Sequence, residues 1–139
     1  MFTKVLVAND GSDNAFRAFQ IACELVALAG AGLHVIVVEE VPEVVETIAE
    51  VQEVKSVEDR QARAIIKRSE LIAARAKVAV EAHVVTGHVV RNIVDFARDR
   101  AFDLIVIGAT GHAAIYERML GTRADRIAHL THCPVLIAR

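Results

Sequence analysis

The chain has 139 residues, of which 54% are hydrophobic, 4% aromatic and 24% charged, and its formal net charge is −2. That length suits one domain, residues 1–139, able to bury roughly two-thirds of its unfolded surface, and the near-balanced charge excludes a global pull toward nucleic acid or an anionic membrane. Two cysteines, Cys23 and Cys133, are too few for a disulfide framework; with no leader-like N-terminus and no apolar run near the roughly 18 residues of a membrane span, they predict a cytoplasmic protein.

Short apolar runs alternate with longer helical patterns. Lys4–Ala8 reads as the first strand, closed by Asn9-Asp10-Gly11-Ser12. Ser12 is a good N-cap, and Ala15, Phe16, Phe19, Ala22, Cys23 and Val26 follow at helical spacing. Gly30 and Gly32 close that helix, and Leu33–Val38 is the second strand. Glu81–Val85 is the third, followed by a helix over about 89–100. Leu104–Ile107 is the fourth strand and Pro134–Ala138 the fifth. Alternating β and α elements of these lengths predict a doubly wound parallel sheet with helices on both faces. Scarce aromatics and the absence of Trp predict a core of Val, Ile, Leu and Ala.

The stretch from Pro42 to Lys77 is ambiguous. Val44, Val45, Ile48, Val51, Val54 and Val57 recur mostly three or four apart and predict one apolar helix face, against the modest helix propensity of valine. Positions 39–59 hold eight acids and one lysine, and 60–77 hold six bases and one acid. That order complements a helix macrodipole. Two readings stay open: a solvated helix, or a lid or partner-binding helix beside a ligand.

The strongest functional signal follows the fourth strand. Gly108-Ala-Thr-Gly111 is separated by nine residues from Gly121-Thr122, which opens a helical pattern. Glycines let backbone N–H groups approach a ligand, and a helix start adds unpaired amides and a positive dipole end. Ligands of open α/β sheets sit beyond the carboxyl ends of the strands where strand order reverses. If strands one and four are neighbours there, Asp10 faces Gly108. Its carboxylate then either accepts hydrogen bonds from an adenosine, or simply makes an Asx-turn or helix cap.

The opening Lys4-Val-Leu-Val-Ala-Asn-Asp-Gly-Ser12, the Gly-x2-Gly-x9-Gly-Thr loop and the closing Cys133-Pro-Val-Leu-Ile137 together resemble the universal stress protein family, strand by strand over the whole chain. The resemblance implies a five-stranded Rossmann-like fold with strand order 3-2-1-4-5, usually homodimeric, in the subgroup that binds ATP. It further implies that Asp10, with Ala8 and Asn9 beside it, meets the adenosine. Val38 would wall the adenine, and Ile107, Gly108, Thr110 and Gly111 would line the ribose and phosphate path. Gly121 and Thr122, with the amides of Arg123 and Ala124, would hold the outer phosphates, and the Thr122 hydroxyl could orient Mg2+. A Cβ at 108 or 111 would crowd the sugar–phosphate backbone. Pro134, Val135, Leu136, Ile137 and Ala138, on an edge strand apolar on both faces, would pair with a second copy.

Two departures stand out. Arg123 occupies a place where relatives usually carry a small residue, and it would either clamp a phosphate bidentately or fill the pocket and favour AMP or ADP over ATP. Ala124 supplies no hydroxyl. Elsewhere, His129, His132 and Cys133 lie close in sequence, but surface or interface roles explain them better than the four ligands of a structural metal site. His112 could reach a phosphate or lie in solvent. No Walker, HExxH or Gly-x-Ser-x-Gly motif is present. The reading is therefore a nucleotide-responsive stress-response module with slow or no hydrolysis. The alternatives are an adenine-nucleotide hydrolase or transferase of related fold, and a partner-interaction protein that binds no nucleotide.

Overall fold

Strand β1 (Lys4–Ala8), helix α1 (Asp13–Ala29), strand β2 (Gly32–Glu39), helix α2 (Ile48–Arg75), strand β3 (Val80–Thr86), helix α3 (Val89–Asp99), strand β4 (Leu104–Gly108), helix α4 (Thr122–Leu130) and strand β5 (Val135–Ala138) follow one another along the chain. This is a computed structural model, and it describes residues 1–40, 47–110 and 120–139. The strands form one parallel sheet in the order β3-β2-β1-β4-β5, the doubly wound arrangement expected from the sequence.

Side chains alternate across the sheet and sort the helices onto two faces. Val5, Val7, Leu33, Val35, Leu104 and Val106 meet Ala18, Phe19, Ala22, Cys23 and Val26 of α1 and Ala73 of α2. Leu6, Ile36, Ile105 and Ile107 meet Val90, Ile93 and Ala97 of α3 and Ala124 and Ile127 of α4. Each fully buried aliphatic side chain contributes about 1.5–3 kcal/mol relative to exposure. The core departs from the composition-based expectation in one respect. Phe19 and Phe102 are the largest fully buried side chains, one on each face.

Local chemistry sets the element ends. The Ser12 hydroxyl caps α1 by accepting from the Ala15 N–H at 3.2 Å, and Gly30 ends the helix in the left-handed region at φ 67°, donating to Val26 O. Gly32 does not belong to that cap; it is the first residue of β2. Thr47 caps α2 through Glu50 N–H at 3.1 Å, in the Thr-x-x-Glu spacing of a capping box. Only Ala62, Ser69 and Ala73 of this 28-residue helix are fully buried. The valine stripe expected to face inward does not do so among the described residues: Val51 and Val57 are exposed and Val54 is half-buried. Val44 and Val45 lie outside the described residues. At the base of β1, Asp103 accepts from the Thr3 N–H and hydroxyl, each at 2.8 Å, and from the Lys4 N–H at 3.0 Å.

Candidate functional site

The order β3-β2-β1-β4-β5 reverses direction between β1 and β4, which pair from Val5–Leu104 to Val7–Val106. A crevice therefore opens beyond the carboxyl ends of these strands, and the residues singled out from the sequence can be placed around it. Ala8, Val38 and Ile107 lie on the same face of the sheet, against the cluster shared by α3 and α4. Ala8 and Val38 are half-buried and Ile107 is buried. Three strand ends thus offer one apolar wall.

The loop after β1 is bound tightly to its surroundings. Asn9 is buried; its N–H donates to Ile36 O at 3.1 Å, its Oδ1 accepts from Gly11 N–H at 2.9 Å, and its Nδ2 donates to Ser69 Oγ at 3.2 Å. Ser69 in turn donates to Ile65 O at 2.8 Å. Gly11 sits at φ +86°, where a side chain is strained. Asp10 is exposed, and its Oδ1 accepts from Ser12 N–H at 2.9 Å. This is the Asx-turn alternative for Asp10. Asn9, by contrast, is a structural strut between β1 and α2.

The glycine loop has a different physical logic from the one expected. A Cβ on Gly108 would stand 2.9 Å from Asn14 C, 3.0 Å from Asn14 O and 3.1 Å from Ala15 N. The close approach of β4 to the first turn of α1 thus requires a glycine here, whatever ligand the loop meets. Thr110 is buried, and Asn14 Nδ2 donates to its Oγ1, so Asn14, which the sequence reading passed over, ties α1 to the loop after β4. Ala109 donates to Ala138 O at 2.7 Å and accepts from Gly121 N–H at 2.6 Å. The Gly121 amide is therefore committed to the protein and unavailable to a phosphate. Gly111 and His112 lie outside the described residues.

Helix α4 starts at the crevice. Gly121 occupies its N-cap position with extended angles (φ −62°, ψ 149°), and no side chain caps it. The first intrahelical bond is Asp125 N–H to Gly121 O at 2.9 Å, so the amides of Thr122, Arg123 and Ala124 have no partner within the helix. Beside them is a cleft of about 240 Å³ lined by Glu40, His88, Val89, Val90, Thr122, Arg123 and Arg126. Three basic side chains and a helix N-terminus make it attractive to an anion. Arg123 does not reach into it unopposed: its Nη2 lies 2.5 Å from Glu40 Oε1, joining the end of β2 to the start of α4. His88 caps α3 by accepting from Arg91 N–H at 3.3 Å. Ala124 is buried in the α3/α4 cluster, which favours a small apolar side chain there.

At the end of β2 the sequence reading missed a buried ion pair. Glu39 is 2% exposed, and Lys55 Nζ donates to its Oε2. The same ammonium lies 3.2 Å from Asp59 Oδ1 and 3.3 Å from Thr86 Oγ1. Lys55 is the one lysine within the acidic stretch at 39–59. Hydrogen bonds to Glu39 and Asp59 push its ammonium pKa up, and hydrogen bonding to Glu39 and Lys55 holds the Asp59 carboxyl below its ordinary range. The one lysine in the acid-rich opening of α2 thus balances a buried carboxylate at the end of β2. His129, near the end of α4, is engaged with Asp125 O at 2.8 Å, and Cys133 Sγ with Thr131 Oγ1 at 3.5 Å. Among the described residues, these groups and His132 do not converge as a metal site. Burial, and the neighbouring Glu24, push the Cys23 thiol up to about 11, as befits a core residue.

The family model for the universal stress protein family matches residues 1–139. The chain is 30% identical over 137 residues to universal stress protein Slr1230 of Synechocystis, covering 99% of this chain but only 42% of that protein, so it spans less than half of that relative's length. Among solved structures, UspA from Lactobacillus plantarum superposes with a TM-score of 0.85 at 25% identity, covering 99% of this chain and 98% of that one. A universal stress protein crystallised in complex with cAMP superposes with a TM-score of 0.77 at 27% identity, covering 99% and 97%.

Proposed function

This chain belongs to the universal stress protein family, and we propose that within it the chain is a nucleotide-responsive module that binds an adenine nucleotide between the carboxyl ends of β1 and β4. The observation that carries the reading is the start of α4, where, among the described residues, no side chain caps the helix and the amides of Thr122, Arg123 and Ala124 have no partner within it, beside a cleft lined by Arg123, Arg126 and His88. A dinegative phosphate fits that chemistry, because each amide gains a charge-assisted hydrogen bond and the dipole favours the charge. Ala8, Val38 and Ile107 supply the apolar wall for adenine, and Asp10 supplies an acceptor for the nucleoside. The complex of a relative with cAMP supports a nucleotide of the adenine class.

Arg123 sets which nucleotide is held. Its ion pair with Glu40 must open or stretch before the guanidinium can meet a γ-phosphate, so shorter nucleotides compete well with ATP. Thr122 Oγ1 is the group that would meet Mg2+ accompanying the phosphates. Turnover is slow or absent in this reading. His88 is occupied as the cap of α3 and Glu40 as the partner of Arg123, so neither is placed as a general base. Two copies pair through the edge strand β5, Pro134 to Ala138, which would cover its outer hydrogen-bonding edge.

The test is direct. Protein purified without added nucleotide is denatured, and any released small molecule is identified by chromatography; thermal unfolding is then followed with ATP, ADP and AMP, with and without Mg2+. Release of an adenine nucleotide, or a rise in melting temperature abolished by Gly121→Val, supports the reading. If nothing is released and none of the nucleotides shifts the transition, the reading fails.

A further inference from the structure

His34 of β2 and Glu81 and His83 of β3 lie at the opposite end of the sheet from the crevice just described. The parallel register pairs His34 with Glu81 and Ile36 with His83. Residues two apart on a strand share a face, so all three side chains project toward α3. His34 Nδ1 and His83 Nε2 face each other at 2.9 Å, His34 Nδ1 lies 3.4 Å from Glu81 Oε2, and the three ligand atoms all fall within 4.8 Å of one another. This is the one converging group of His, Cys, Asp or Glu among the described residues.

We propose that His34, Glu81 and His83 form a binding site for a divalent transition-metal ion of the zinc type. Zinc takes nitrogen and carboxylate oxygen at about 2.0–2.2 Å in a tetrahedron, which places neighbouring ligand atoms about 3.3–3.5 Å apart. The His34–Glu81 separation of 3.4 Å matches that spacing and the His34–His83 separation of 2.9 Å falls short of it, so the two imidazoles must open by a few tenths of an ångström to admit the ion. Two imidazoles and one carboxylate are a donor set suited to zinc and its neighbours in the first transition row. The two rings lie within 8° of parallel, and Phe102 and Phe96 hold them from the protein side at centroid distances of 4.9 and 4.8 Å. That packing fixes the ligands before the metal arrives.

The surroundings also keep the imidazoles in the ligating form. Burial lowers the pKa of both, and Lys4 and Arg100, which stack on Phe102 and Phe96, lower them further against the opposing pull of Glu81. Neutral imidazole is the form that binds metal. Glu81 has 68% of its side chain exposed and His34 15%, so an ion can enter and a water can complete its coordination. Without metal, the two histidines share a proton in an ordinary hydrogen bond. With metal, the donor ring carries its proton on its other nitrogen, and the ion takes the place of the hydrogen bond and cross-links β2 to β3, an edge strand of the sheet.

The experiment uses the whole chain, stripped with a chelator and titrated with Zn2+ by calorimetry. The expected result is one saturable site per chain, a higher melting temperature with Zn2+ and none with Mg2+, and visible absorption of tetrahedral type when Co2+ is substituted. Glu81→Gln, at an exposed position, is expected to weaken Zn2+ binding at least ~10-fold, and His83→Gln more, since ligand loss should exceed the 10–100-fold cost of outer-sphere changes. Circular dichroism establishes that each variant is folded. Absence of stoichiometric binding to the parent chain overturns the proposal. So does Zn2+ binding that survives both substitutions, which would place the ion elsewhere, as at His129 and His132.

Discussion

Replacing Gly108 with alanine is expected to cost stability because of helix α1, whatever the ligand does. The new methyl would lie 2.9–3.1 Å from three backbone atoms of Asn14 and Ala15, and backbone in a capped helix cannot rotate aside as a side chain would. Overpacking of this kind costs about 1–3 kcal/mol, with the upper half appropriate to three contacts. Loss of glycine's freedom in the unfolded chain returns about 0.4–1 kcal/mol, leaving a net destabilisation of about 1–2.6 kcal/mol. With an unfolding entropy near 2.1 cal/mol/K per residue and 139 residues, 1 kcal/mol corresponds to about 3.4 °C. The melting temperature of Gly108→Ala should thus fall by about 3–9 °C, read by circular dichroism on nucleotide-free protein. A variant that melts within about 1 °C of the parent yet loses its response to nucleotide would refute this reasoning. The glycine would then serve the ligand, as the sequence alone suggested.

Three further outcomes follow from polar contacts. Ser69→Ala leaves the buried Asn9 Nδ2 without the hydroxyl it donates to, and should cost about 1–3 kcal/mol in urea unfolding; a loss below about 0.3 kcal/mol would show that Asn9 finds another acceptor. Asp103→Asn is expected to cost about 1–2 kcal/mol at pH 7, since three donors converge on its carboxylate. Burial pushes the Asp103 carboxyl up, but the Thr3 and Lys4 bonds outweigh it and hold it below the ordinary range. A depressed native pKa contributes stability above the unfolded value of about 3.9, lost as pH falls through the native one. The gap between parent and variant should therefore narrow from pH 5 toward pH 2; a gap constant over that range counts against the assignment. Lys55→Met strands the Glu39 carboxylate in a buried position and should lower the melting temperature, while the double change Glu39→Gln, Lys55→Met recovers much of the loss; additive losses would mean that the pair is not coupled.

Strand and helix positions were legible in the sequence because the core is built from period-2 and period-3.6 repeats with strong punctuation at Ser12 and Gly30. The long helix α2 was harder to read. Its valines recur at helical spacing, yet the described ones remain exposed or half-buried, and the buried face is carried by Ala62, Ser69 and Ala73, residues too small or polar to register as a stripe. The candidate site was legible where it depended on backbone, in the glycines and the start of α4. It was not legible where it depended on pairs distant in sequence. Glu40 and Arg123 are 83 residues apart, and Glu39, Lys55 and Thr86 meet only once β2, α2 and β3 are assembled. The His34–Glu81–His83 cluster left one trace, the Glu-x-His spacing on a strand, which becomes informative only with the β2–β3 register. Gly108 was singled out for a ligand, and its contact with the first turn of α1 was not legible, because Asn14 and Gly108 meet only in the folded chain.

The Ala109 peptide is used at both ends, its N–H by Ala138 O and its carbonyl by Gly121 N–H. Ala109, with one peptide plane on each side of its Cα, is therefore the link between the last residue of the edge strand and the N-cap of the anion-facing helix. It has little slack, since both contacts are at or below the short end of the N–H···O range. A displacement of β5 is passed through Ala109 to the Gly121 amide and so to the first turn of α4.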